Sequence, residues 1–419
     1  MTKEYNVTPQ LPSTGFTIAE LFAGGGLMAI GLKAAGYDIK WANDFDRNAV
    51  KAYKANLGDY IVHGDITAID PNDIPDVDII AGGPPCQDYS VAGTGAGEQG
   101  ERGKLVWTYL DIIQRKQPKA FIFENVKGLV GKRHRQTFES LLAKFAEIGY
   151  NVNHRVVNAW DYGVAQKRER VFIVGIRKDL GFAFKFPEPS AEDYRTQVLL
   201  DVIGDLPEPS DTCGKNVKKV ERVADMNEPG PTVTTQFRCQ TVEITNHKPQ
   251  PLSEKAMEYL QRDPRHLQKH RPPTVDEPSS TLPAVLHKGV PYGLFYPNHQ
   301  LKLITPGIAG HNERHKDKGN GFGLAVQNME KPCGTIDGHT GHGSTANIPP
   351  SNPPRRFTVR ECLRIQSVPD WYVLPDDISL SAQYRIVGNG VASRVAYLLG
   401  ISLAEQLSEV LTKSNEKSA

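Results

Sequence analysis

A doubly wound α/β domain with a mostly parallel sheet is predicted over residues 16–174. Strand-length apolar runs alternate with amphipathic stretches, those stretches repeat apolar residues every three or four positions, and a glycine-rich turn closes the first run. The strands are read at FTIAELF, IKWANDF, YIVHGD, VDIIAGG, AFIFEN and RVFIVGI. The helices between them are MAIGLKAAG, DRNAVKAYKANL, VWTYLDIIQRK and TFESLLAKFAEIG.

Past Phe186 the texture changes. Of the 30 prolines 21, and of the 12 histidines nine, fall between residues 187 and 354, which excludes long helices and predicts an irregular strand-and-loop region. Pro229-x-x-Thr232-Val233, Pro278-x-x-Thr281-Leu282 and Pro332-x-x-Thr335-Ile336 echo one another there, each a turn leading into a possible strand. From Arg356 ordered patterning returns, with helices expected in TVRECLRIQ and VASRVAYLLGISLAEQL and a frayed tail at KSNEKSA.

Composition narrows the function classes. With 39% hydrophobic and 23% charged residues over 419 positions, the chain is neither disordered nor collagenous. Runs such as DIIAGG fall short of the roughly 20 apolar residues of a membrane span, and MTKEYNVTPQ lacks a signal-peptide core. A cytoplasmic protein with no membrane partner is therefore expected. Five scattered cysteines make neither a disulfide framework nor a zinc site. The 49 basic and 48 acidic residues nearly cancel, so any surface for nucleic acid must be local.

The chemistry gathers where the sheet's carboxyl edge should lie, the usual ligand edge of this architecture. Phe22-Ala23-Gly24-Gly25-Gly26 ends the first strand, Asp44 ends the second about 20 residues later, and Asp65 ends the third. The spacing departs from GxGxxG, because Leu27 and Met28 follow three consecutive glycines. An acidic turn of this kind suits a nucleoside without a pyrophosphate, such as S-adenosylmethionine, with Asp44 accepting from ribose hydroxyls and Asp65 from an adenine amino group. Next, Gly82-Gly83-Pro84-Pro85-Cys86-Gln87 places a thiol in a stiff loop, AFIFEN delivers Glu124, and Gln166-Lys167-Arg168-Glu169-Arg170 opens RVFIVGI.

A thiol, a carboxylate and two arginines beside a nucleoside turn are what methylation of a pyrimidine carbon requires. Cytosine C5 is a poor nucleophile until a thiolate adds to C6 and makes C5 an enamine carbon. Glu124, protonated or sharing a proton with ring N3, would remove charge as Cys86 adds. Arg170 or Arg168 would hold O2 and keep Cys86 ionised.

On these residues the chain resembles the DNA (cytosine-5)-methyltransferases over nearly its whole length. FAGGG is similar to the family's first cofactor motif, GGPPCQDYS to the nucleophile loop, ENV to the carboxylate motif and QKRER to the basic motif. RECLRIQSVPD resembles the ninth motif and GNGVASRVAYLL the last. The resemblance implies a Rossmann-like methyltransferase fold with a catalytic set of Cys86, Glu124, Arg170 and the supporting Arg168. It places S-adenosylmethionine against Phe22, Gly24, Gly26, Asp44, Phe45, Asp65, Ile66, Pro85, Leu105, Asn389 and Val391. Arg360, Glu361, Arg364 and Gln366 are given a structural role. The family often has Glu at the position of Asp44 and Phe or Trp at that of Tyr89, and both exchanges preserve the acceptor or the aromatic surface.

It further implies a catalytic domain of residues 1–190 plus 380–419 and a smaller target-recognition domain of residues 191–379, with double-stranded DNA in the cleft and the cytosine rotated out. DNA contacts are expected from Gln87, Ser90, Arg102 and Lys104 in or beside the five-glycine loop after Cys86, which would close over the base. Arg115 follows that loop. Base contacts are expected among Gln236, Arg238, Gln240, Arg314, Lys316 and Lys318. The histidine-containing segments 311–319 and 338–343 lack a cysteine pair or an HxxxH helix, so no metal is expected.

The reading is a sequence-specific DNA cytosine-5 methyltransferase, expected as a monomer, serving beside a cognate restriction endonuclease or alone. The alternatives are a tRNA cytosine methyltransferase, which the long inserted region disfavours, and an inactive DNA-binding regulator, which has no need of an ionisable thiol. A nicotinamide-dependent dehydrogenase is disfavoured by the triple-glycine turn.

Overall fold

The computed structural model describes residues 11–85, 104–206, 325–326, 330–333, 347–348 and 357–418. The chain divides into two units, one of Tyr5–Thr196, Gln366–Val368 and Gly390–Ala419, the other chiefly of Gln197–Ile365 and Pro369–Asn389.

The first unit is built on a seven-stranded sheet. Its strands are β1 (Thr17–Leu21), β2 (Asp38–Asp44), β3 (Ile61–His63), β4 (Ile79–Gly82), β5 (Ala120–Val126), β6 (Tyr150–Asn158) and β7 (Glu169–Arg177), in the order β3-β2-β1-β4-β5-β7-β6. The first five are parallel neighbours, whereas β7 runs antiparallel to both β5 and β6. This is the Rossmann-like fold of methyltransferases, with one correction to the sequence reading. RVFIVGI is an antiparallel strand, because the unpredicted β6 precedes it as the other arm of a hairpin. The reversal matters for function: the start of β7, not its end, comes to the carboxyl edge.

The buried strands read as apolar runs because helices cover them. Helix α1 (Leu27–Ala34) starts directly after the glycine turn, and α2 (Arg47–Asn56) is capped by Asp46, whose Oδ1 accepts from the Asn48 amide at 2.8 Å. Helix α3 (Lys104–Lys116) buries Val106, Tyr109, Leu110, Ile112 and Ile113. With α4 (Arg135–Glu147) it encloses an aromatic cluster of Tyr109, Phe121, Phe123, Phe145 and Tyr150. Each ring contributes about 1.5–3 kcal/mol by burial, and Tyr109 and Tyr150 keep partners for their hydroxyls, donating to the Ile122 and Pro118 carbonyls at 2.9 and 2.8 Å.

Two helices of the other unit bracket its described end, α6 (Val359–Ile365) and α7 (Leu380–Asn389), after the short α5 (Leu199–Ile203). The last helix, α8 (Ser393–Ser418), returns to the first unit and packs on α1. Gly31 and Gly400 permit the close approach: a Cβ on Gly31 would lie 2.2 Å from the Ser393 carbonyl oxygen, and one on Gly400 3.0 Å from Ala35 Cβ. The predicted frayed tail is instead helical to Ser418. Residues Leu380–Lys413 have the length and composition of a membrane span, an exception to the short apolar runs read from sequence. The segment is nevertheless broken between Asn389 and Ser393, and Val395, Leu399, Leu403 and Leu407 form a buried stripe, as a core helix requires.

In the second unit the ninth-motif residues are scaffold. Arg360 and Arg364 are almost wholly buried. Arg360 Nη2 donates to the Tyr372 carbonyl at 2.7 Å. Arg364 grips both oxygens of Asp370 at 2.8 and 2.6 Å and reaches Asp205 at 2.6 Å. Glu361 closes the first turn of α6, its Oε2 accepting from the Thr358 amide at 2.6 Å. A parallel pair of two-residue strands, β8 (Ala325–Val326) and β9 (Asn347–Ile348), also belongs to this unit.

Candidate active site

The carboxyl ends of β1, β2 and β3 bring the first group of expected residues together. Phe22, Gly24 and Gly26 all have positive φ, 55°, 57° and 84°, so the chain reverses sharply between β1 and α1. Gly26 must be glycine for packing as well: a Cβ there would sit 2.2 Å from Leu57 Cδ1 and 2.8 Å from Tyr53 Cδ2. Gly24 faces open space, with nothing within 4 Å of a built Cβ. The Gly24 amide donates to Asp44 Oδ2 at 2.7 Å, and Oδ1 accepts from the Asp46 amide at 2.8 Å. Burial raises the Asp44 carboxyl above its ordinary range, against the lowering effect of those two amides.

Phe45, next in the chain, leaves its ring 75% exposed beside this turn, which no packing rule requires of a phenylalanine. Asp65 is exposed, and its Oδ1 caps a short turn by accepting from the Thr67 amide at 2.9 Å. Ile66 is buried in the core with Leu21 and Trp41, and Leu105 packs with Phe22 against the same cluster. The exposed Asp65, the open face of Gly24 and the exposed ring of Phe45 thus stand at one edge of the sheet, around a turn that Asp44 ties together.

The second group stands at the ends of β4 and β5. A Cβ on Gly83 would lie 2.8 Å from Glu124 Oε2, and Asn125 Nδ2 donates to the Pro84 carbonyl at 3.3 Å. The segment leading into Pro85 is thereby seated on the end of β5. Because β7 is antiparallel, Arg170 pairs in register with Val126, and its Nε lies 3.1 Å from Glu124 Oε1. Burial raises the Glu124 carboxyl above the ordinary carboxylate range, while the charges of Arg170 and then Arg168 pull it back. Such a group can hold a proton and give it up.

Arg168, for which the residues alone left a contact to O2 open and the resemblance implied support of the loop, is 2% exposed, and its Nη2 donates to the Gly390 carbonyl at 2.8 Å. Val391 is buried in the same unit, whereas Asn389 ends α7 in the other. Gln366 also joins this unit, its carbonyl accepting from the Ser393 amide at 3.1 Å. Cys86, Gln87, Ser90, Arg102, Gln236, Arg238, Gln240, Arg314, Lys316 and Lys318 lie outside the described residues, as do both histidine-containing segments. Lys104 begins α3.

One residue escaped the sequence reading. Glu20 on β1 is 1% exposed, and burial, with the Asp44 charge adding to it, pushes its carboxyl up to about 8. Its signal was a single carboxylate inside the otherwise apolar TIAEL.

Comparison with known proteins agrees with this geometry. The family described as C-5 cytosine-specific DNA methylase matches residues 16–405. A Type II methyltransferase of Methanothermobacter thermautotrophicus, M.MthTI, is 33% identical over 94% of this chain and 98% of its own length. M.FnuDI of Fusobacterium nucleatum, also a Type II methyltransferase, is 31% identical over 94% and 95%. Among solved structures, a prophage-encoded E. coli protein described as a DNA modification methyltransferase superposes with a TM-score of 0.61 at 19% identity, covering 94% of this chain and all of the other. The S. pombe Dnmt2 methyltransferase gives 0.52 at 16% identity, over 93% and 98%.

Proposed function

Because the chain belongs to the C-5 cytosine-specific DNA methylases and is a DNA cytosine-5 methyltransferase, we propose that it methylates one cytosine of a short duplex sequence through a covalent adduct with Cys86. The observation that carries this reading is the Glu124–Arg170 pair, held at 3.1 Å beside the segment that leads into the Cys86 loop.

The base must leave the stack to reach these groups, at a cost on the order of a few kcal/mol. Arg170 holds O2, and Glu124 gives N3 a proton as the Cys86 thiolate adds to C6. The electron pair of the C5–C6 bond is thereby released to C5. After methylation, loss of the C5 proton to solvent and return of the N3 proton to Glu124 restore that double bond and expel the thiolate. The Gly24–Gly26 turn, Asp44, Phe45, Asp65 and Val391 would hold S-adenosylmethionine, which would supply the electrophilic methyl group and leave as S-adenosylhomocysteine. Positioned acid catalysis of this kind is worth about 10²–10⁴-fold.

Residues 191–379 are assigned to target recognition, and residues 1–190 with 380–419 to catalysis. The biological role that fits is modification of DNA against a cognate endonuclease.

Methyl transfer from labelled S-adenosylmethionine to mixed-sequence duplex DNA, followed by bisulfite sequencing, tests the reading. The wild type should place 5-methylcytosine in one short motif and Cys86→Ala should place none. Transfer to RNA alone, or DNA binding without transfer, would contradict it.

A further inference from the structure

Arg168 and Arg170 are two residues apart at the start of β7, yet their side chains do different things. Arg170 is committed to Glu124. Arg168 is buried, and its Nη2 donates to the carbonyl of Gly390, a residue 222 positions further along the chain. That carbonyl belongs to a turn seated on the start of α1. A Cβ on Gly390 would lie 2.3 Å from Leu27 Cδ2, and Ser393 Oγ donates to the Leu27 carbonyl at 2.8 Å.

Leu27 directly follows Gly26, the last residue of the glycine turn. A continuous set of contacts therefore runs from Arg168 through Gly390 and Leu27 to the turn assigned to the adenosyl group. At its other end, Arg168 stands two residues before Arg170, whose Nε meets Glu124 Oε1 at 3.1 Å, and the Arg168 charge bears on the same carboxyl.

We propose that Arg168 is a positioning residue that couples the cofactor turn to the base pocket, fixing the Gly390 carbonyl on one side of the start of β7 while its neighbour Arg170 engages Glu124 on the other. The proposal rests on the function assigned above. An arginine suits this task because it joins a fixed charge to a rigid planar donor, whereas a lysine keeps the charge but not the geometry. The coupling must be reciprocal: whatever engages Glu124 tightens the cofactor site, and an occupied cofactor site steadies Glu124.

The test measures S-adenosylhomocysteine binding by titration calorimetry, with and without saturating duplex DNA carrying the methylated motif. Arg168→Lys should weaken binding to the DNA-free protein about tenfold, on the scale of one lost charge-assisted hydrogen bond, and Arg170→Lys by less than about twofold. DNA should tighten binding to the wild type, and that ratio should fall toward one in Arg168→Lys. Ser393→Ala keeps Arg168, Arg170 and Glu124 and removes the bond to the Leu27 carbonyl, so its ratio should fall too, which decides the matter even if Arg168→Lys does not fold. Wild-type affinity in Arg168→Lys, or a wild-type ratio in Ser393→Ala, would overturn the proposal. A wild type that transfers no methyl group to cytosine would instead overturn the functional reading, while the DNA-free affinities would still decide the role of Arg168 at the turn.

Discussion

Two carboxylates are buried on neighbouring parts of one sheet, Glu20 on β1 beneath the glycine turn and Glu124 at the end of β5. Burial raises both, but only Glu124 faces cations, Arg170 at 3.1 Å and the charge of Arg168. Glu20 faces Tyr53, the Ala29 amide and the carboxyl of Asp44, and is pushed up to about 8, chiefly by burial. The comparison separates two uses of a buried acid. Without a cation beside it the carboxyl is pushed up to about 8; with two arginines the rise from burial is opposed, which suits a group that must take up and give up a proton.

The largest expected effect falls on the cation-facing acid. Glu124→Gln should lower kcat by about 10²–10⁴-fold, measured at saturating DNA and S-adenosylmethionine, with little change in cofactor affinity in the absence of DNA. A Glu20→Gln variant that lost as much rate would break the distinction.

Next comes the turn between the two strands that carry Glu20 and Asp44. Gly26→Ala meets Leu57 and Tyr53 and also strains a φ of 84°. It should destabilise the protein by about 1–3 kcal/mol, the usual range for overpacking, visible as a lower denaturation midpoint. Gly24→Ala, facing open space, should cost less stability and act mainly on S-adenosylhomocysteine affinity.

The smallest effect is a slope. Folded Glu20 binds its proton more tightly than the unfolded chain does, since its value rises from 4.5 to about 8. Its contribution to stability is therefore complete below about pH 4.5 and is lost as pH climbs toward 8. Denaturant midpoints of Glu20→Gln relative to wild type should rise across that window. A constant difference between the two proteins would show that Glu20 does not retain its proton on folding.

Much of this architecture was legible because the central strands are buried on both faces and announce themselves as apolar runs. The edge strand β6 was not, since YNVNHRVVN is half solvated and its polar positions mask a strand. Missing it hid the hairpin and made β7 look parallel. Helix α7 was hidden by the polar residues of LSAQYRIVGN. At the site, the carboxylate and basic motifs pointed to Glu124 and Arg170, which the structure places 3.1 Å apart, while residue types alone left O2 to either Arg170 or Arg168 and only the resemblance set Arg168 apart as a support. That division depends on which guanidinium the antiparallel strand turns toward Glu124 and which toward Gly390, a fact of register and rotamer.

The most direct test of the account is covalent trapping. A duplex carrying 5-fluorocytosine at the methylated position offers C6 to the thiolate, yet after methylation its C5 has no proton to lose, so the protein should remain bonded to the DNA. With S-adenosylmethionine present, the wild type should form a complex that survives denaturing electrophoresis, and Cys86→Ala should form none. Efficient methylation of ordinary cytosine by a wild type that leaves no trapped complex on the fluorinated duplex would contradict the assignment of Cys86 as the nucleophile.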